Sequence, residues 1–234
     1  MEAQPPRDAP NPSPSEVAIR SRRKSAGIQI GVLLVVLGLA VVILSPMVRR
    51  QREKAIECYA NNNLRQIGLC LLEFQQEYGE LPDASTIAAV KNATGTPLSL
   101  GTKTSNDYFR QLIASGIAPS ENAFYAEIPG SREPDNRMDA LHALEKGECG
   151  FTYLMGGTKD SNPSRPLVVT PMIPNTDRFD PTPFGSSADI LKNDNSVSAL
   201  RIDKDGHAIF AGRILMDPFN PIWEGHPPVI AWPE

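Results

Sequence analysis

From Ser25 to Val48 the chain carries no charged residue, and Ile28 to Leu44 is almost entirely Val, Leu, Ile, Gly and Ala. As a helix rising about 1.5 Å per residue, such a run spans roughly 36 Å, enough to cross the ~30 Å hydrocarbon core of a bilayer. Basic residues stand on both sides, Arg20, Arg22, Arg23 and Lys24 before it and Arg49, Arg50, Arg52 and Lys54 after it. Two other readings compete. A buried helix of a soluble protein would not need basic residues at both ends. A secretory signal peptide would have a shorter apolar core followed by a small-residue cleavage site, whereas Ser45-Pro46-Met47-Val48-Arg49-Arg50 follows here. A retained single-pass anchor is therefore expected. The basic counts on the two sides nearly balance, so orientation rests on size. A short tail precedes the run and the bulk of the chain follows it, which places the N-terminus in the cytoplasm. Residues 1–24, rich in Pro, Ala and Ser, bury too little apolar surface to fold and read as a disordered basic leader. Residues 25–48 are the expected span, and residues 49–234 an extracytoplasmic domain.

The helix is predicted to continue past the membrane. Between Arg49 and Tyr78 there is no proline and only one glycine, Gly68. Apolar or semi-polar residues recur at Ile56, Ala60, Ile67, Leu71, Phe74 and Tyr78, the spacing of one buried helical stripe. Glu53, Glu57, Arg65 and Gln76 are assigned to the opposite, solvated face. Gly79 followed by Pro82 is a helix stop. Short helices are expected at Thr86–Asn92 and Asn106–Ser115, and a helix or ordered loop at Met138–Lys146. Strands are expected at Phe151–Met155, Leu167–Met172, Ala188–Leu191, Val197–Ile202 and Ala208–Ile214, the last two joined by the turn Asp203-Lys204-Asp205-Gly206. A long helix followed by antiparallel strands is an α+β layout.

Little in the sequence speaks for catalysis. His142, His207 and His226 lie far apart, and no nucleophile elbow, phosphate-binding loop or zinc-binding spacing occurs. Glu73, Glu77 and Glu80 suit a solvated helix end. A net charge of −4 gives no basic balance toward nucleic acid. Cys58, Cys70 and Cys149 are an odd number, so they read as three thiols, with one bridge plus one free thiol as the alternative. Asp203 and Asp205, with Asp194 and Asn195 in the same half of the chain, offer oxygen ligands for calcium. Turn geometry alone accounts for an Asp-x-Asp-Gly loop, however, and the EF-hand's distal glutamate is missing. The expectation is a plain hairpin turn and no cofactor, with calcium as the alternative.

The stretch Cys58-Tyr59-Ala60-Asn61-Asn62-Asn63-Leu64-Arg65-Gln66-Ile67-Gly68-Leu69-Cys70-Leu71, continuing to Tyr78-Gly79-Glu80-Leu81-Pro82, resembles a segment of type IV pilins and type II secretion pseudopilins. In the large pilin-like families it follows a short basic leader and an apolar helix with a proline near its end, as Pro46 is here. Asp194-Asn195-Ser196-Val197 is similar to the late D-G-S-V strand motif of those families. The resemblance covers the first third of the chain and this short later piece. It implies a pilin-like fold, with one long helix, half transmembrane and half packed, against a small antiparallel sheet. It also implies a non-enzymatic structural subunit of the inner (cytoplasmic) membrane, with its domain in the periplasm and other pilin-like subunits or secretion-system membrane components as partners. Aligned on Pro46, Lys24 stands at the family's leader glycine, Ser25 at the first mature residue and Gln29 at the intramembrane glutamate. With glycine and glutamate both replaced, the leader is expected to be retained and the chain to be a minor, weakly assembling member. The alternative is a membrane-tethered periplasmic binding module that never polymerises.

Overall fold

The computed structural model describes the backbone of residues 14–234 and the side chains of residues 38, 42 and 44–234. The chain divides at Arg50 into two compact units. The first helix, α1, is Pro14–Tyr78 and contains Pro46. The backbone of the expected span, residues 25–48, is part of α1; most of its side chains lie outside the described residues, and of those described Val42, Leu44, Met47 and Val48 are exposed. Among the described residues no helix is long and apolar enough to cross a membrane.

The second unit is α+β. After α1 come α2 (Thr86–Thr94) and α3 (Ser105–Ala114). The strands are β1 (Thr152–Met155), β2 (Pro166–Thr170), β3 (Ser187–Lys192), β4 (Val197–Ile202), β5 (Ala208–Phe210), β6 (Arg213–Ile214) and β7 (Val229–Ala231). They form one sheet in the order β6-β5-β4-β3-β2-β1-β7, every pairing antiparallel. Six strands run as a meander, and the seventh returns to the free edge of β1.

Both faces of the sheet are covered, because alternate side chains of a strand point to opposite faces. Tyr153, Val168 and Leu191 pack with Ala60, Leu64, Ile67, Leu71 and Phe74 of α1 and with Phe109 and Leu112 of α3. Their neighbours Leu154, Val169 and Ile190 pack on the other side with Phe179, Leu215, Ile222 and Trp223. The stripe expected on α1 is thus the core face: Ala60, Ile67, Leu71 and Phe74 are buried, Ile56 and Tyr78 pack against its ends, and Leu64, which the expected stripe left out, is buried with them. Gly79, at φ +85, ends α1 by donating its N–H to the Gln75 carbonyl at 2.9 Å. Thr104 and Asp107 start α3 with a reciprocal capping box.

Two sequence readings need correction. Glu57 is buried, not on the solvated face; it sits on the core side of α1, where Lys54 and Asn61 supply polar company. The stretch Ala208–Ile214 is two strands, because Ala211 (φ +48) and Gly212 (φ +78) turn the chain back on itself. Of the two alternatives for Met138–Lys146, helix or ordered loop, the structure has the ordered loop of turns, held by Arg110 donating to the Ala143 and Leu144 carbonyls at 2.8 and 3.0 Å.

Candidate functional site at the helix–sheet seam

The Asn-rich segment that carries the family resemblance is where α1 meets the sheet. Asn61 Nδ2 donates to Asp189 Oδ2 on β3 at 2.9 Å and to the Glu57 carbonyl at 3.2 Å. Two residues on, buried Asn63 donates to the Asn122 and Tyr125 carbonyls at 2.8 and 2.7 Å, tying α1 to the 3-10 turn Glu121–Phe124. Leu64, Ile67 and Leu71 between and beyond them fill the core. At Gly68 an added Cβ would fall 1.9 Å from Asn195 Oδ1 and 2.8 Å from Leu191 Cδ1, so a side chain there would have to displace the ends of these two side chains of the β3–β4 hairpin. Asn195 itself takes φ +64 at the hairpin tip, a left-handed position that Asn tolerates better than most residues. The segment similar to D-G-S-V is therefore the turn that rests on Gly68.

Beside this contact lies a polar cluster. Lys54 Nζ meets Glu57 Oε2 at 2.5 Å, and the Asp189 carboxyl lies behind them, fully buried, with its Oδ1 unpartnered among the described residues. Burial pushes the Asp189 carboxyl up to about 7; the Glu57 charge adds to the rise, while the Asn61 hydrogen bond and Lys54 oppose it. Glu57, through its hydrogen bond, raises the Lys54 ammonium above its ordinary value. In front of the cluster an open groove of about 880 Å³ runs between α1 and β4, lined by Lys54, Cys58, Tyr59, Asn62, Arg65 and Val197. The groove thus offers two cations, of which Lys54 is paired with the Glu57 carboxylate that also lines it, and an exposed tyrosine.

The residues singled out from the sequence scatter. Lys24, Ser25 and Gln29 have side chains outside the described residues. Cys58, Cys70 and Cys149 are free thiols, and burial raises both Cys70 and Cys149 to about 11, far from thiolate reactivity. His142 pairs with Asp139, His207 faces Asp203, and the His226 carbonyl accepts from Arg165. Glu73, Glu77 and Glu80 are exposed, as a solvated helix end requires. Asp203, Asp205 and His207 do bring ligand atoms within 4.8 Å of one another. Asp203 Oδ1, however, already accepts the Asp205 and His207 N–H groups at 2.9 and 2.8 Å, which is what a hairpin turn needs. Asp189, Glu57 and Asn63 were not legible as site residues; the one signal was the run of three asparagines on a helix with an apolar stripe, where asparagine is otherwise unfavourable.

No family model, curated protein or solved structure matches the chain.

Proposed function

We propose that this chain is a membrane-anchored, pilin-like structural subunit, held in the cytoplasmic membrane by residues 25–48 with residues 49–234 on the outer side, and that it performs no chemistry of its own. One observation carries the reading. The α1 face turned away from the core keeps large apolar side chains in solvent, with Tyr59, Leu69 and Leu72 at 46, 59 and 44% exposure. On a helix whose other face is fully packed, exposed apolar residues mark a surface for a partner, and in a pilin-like system that partner is another subunit's helix. The resemblance of the Asn-rich segment and the apolar run before it support the same reading. The test is site-directed crosslinking in membranes. Cysteines at Leu69 and Leu72, in a chain whose native thiols are replaced by serine or alanine, should give subunit-to-subunit adducts. Monomer alone, at native expression, would overturn assembly.

A second reading is favoured by the groove. Lys54, Arg65 and Tyr59 beside an 880 Å³ opening suit a tethered module that binds an acidic ligand. It predicts no crosslinked dimer.

A further inference from the structure

The middle of the domain, which the resemblance does not reach, brings three carboxylates together. Glu121 opens the 3-10 turn Glu121–Phe124, and Glu148 lies in the loop before β1; both are fully buried. Asp135, exposed, comes from the segment between them. One oxygen of each lies within 4.8 Å of the others. Backbone donors orient the two buried groups. Glu121 Oε1 accepts the Leu144 N–H, and Glu148 Oε2 accepts the Glu145 N–H at 2.6 Å. Glu148 Oε1 takes a long contact of 3.4 Å from the Asp135 N–H and lies 3.2 Å from Arg132 Nη2. Glu121 Oε2 has no hydrogen-bond partner among the described residues.

A buried carboxylate oxygen without a donor is costly, and this one belongs to a group of three acids. Arg132 offsets one negative charge and also serves Glu145. Three carboxylates against one guanidinium that is itself shared with Glu145 leave at least two negative charges when all are ionised, which a divalent cation would neutralise. All the donors are hard oxygens, with no histidine or thiolate, which selects against zinc and copper. The three oxygens lie within 4.8 Å of one another, close enough for one ion to touch all of them. Calcium takes several protein carboxylates at once, whereas magnesium dehydrates reluctantly and is held by one or two, so three converging carboxylates favour calcium. We propose that Glu121, Asp135 and Glu148 bind a hard divalent cation, calcium by preference, which ties the 3-10 turn to the Asp135 and Glu148 loops. This site is separate from the Asp203 hairpin and does not depend on the assembly state.

The experiment uses the full-length protein in detergent, stripped with chelator. Thermal unfolding is followed with calcium chloride, with magnesium chloride and with potassium chloride at matched ionic strength. Calcium should raise the melting temperature by several degrees, more than magnesium, and potassium should not. Asp135→Asn, at an exposed position that leaves the core intact, should remove most of the rise. Glu121→Gln keeps an acceptor for the Leu144 N–H and should also remove it, while Asp203→Asn should leave it in place. Titration calorimetry on the same samples should show one calcium site in the wild type and none in the Glu121 and Asp135 variants. Absence of both heat and stabilisation up to about 10 mM calcium, above the range of extracellular calcium modules, would overturn the proposal. So would a calcium response lost in Asp203→Asn but kept in Asp135→Asn. A wild type indifferent to calcium, together with a Glu121→Gln variant more stable than wild type, would show that the two buried acids share a proton instead.

Discussion

Asp189 places a carboxyl under a helix, where it accepts a hydrogen bond from Asn61. Its raised value of about 7, from burial first and Glu57 second, has a definite consequence for stability. The folded state holds this proton at pH values where the unfolded chain has released it. The contribution is complete below the ordinary carboxylate range near 4 and is lost as pH rises through about 7. Asp189→Asn removes the titration and keeps an acceptor for Asn61. Relative to wild type it should gain about 1–3 kcal/mol between pH 5 and pH 8, each pKa unit being worth about 1.4 kcal/mol. Urea midpoints of the two proteins at both pH values measure the difference, and an equal pH slope in both would refute it. Asn63 is the structural counterpart. Its amide serves two backbone carbonyls, so Asn63→Ala should cost about 1–3 kcal/mol at either pH, the usual loss when buried polar groups lose a partner.

At the scale of elements, α1 acts as the spine of the second unit. Phe74 is fully buried and stacks on Tyr78 with ring centroids 4.5 Å apart. Truncating it to Ala should lower stability by about 3–5 kcal/mol in denaturant titration; a loss under about 1 kcal/mol would mean that the stripe can collapse around the cavity. The contact of α1 with the β3–β4 hairpin gives a sharper test. In an isolated helix Gly→Ala stabilises by roughly 1 kcal/mol. At Gly68 the new methyl meets Asn195 and Leu191, and the sign should reverse to a loss of about 1–3 kcal/mol. Asn195→Gly suits φ +64 and withdraws the nearer obstacle. In a double-mutant cycle the cost of Gly68→Ala should fall in that background. Additive losses would show that Leu191, not Asn195, sets the approach.

For the whole molecule, the proposed anchor at residues 25–48 would decide where the domain resides. If residues 25–48 span the cytoplasmic membrane with the N-terminus inside, protease added to spheroplasts should digest the chain after Val48, and N-terminal mass analysis should find the leader, with Lys24 and Ser25 still joined. Protection of the domain would reverse the orientation, and an N-methylated Ser25 would restore full processing. Periodicity along the chain was enough to determine the α1 core stripe, the Gly79 stop, four of the seven strands nearly to their ends and the Asp203–Gly206 hairpin, because these depend on local dihedrals and on which side chains share a face. Pairing over long separations was decided only by the tertiary structure. β7 joins the sheet beside β1 from late in the chain, and Glu57 lies buried at the seam, paired with Lys54. The carboxylates of Glu121, Asp135 and Glu148 come from separate segments. Each acid alone looks like an ordinary solvated residue, and only the tertiary fold buries Glu121 and Glu148 and brings the exposed Asp135 beside them.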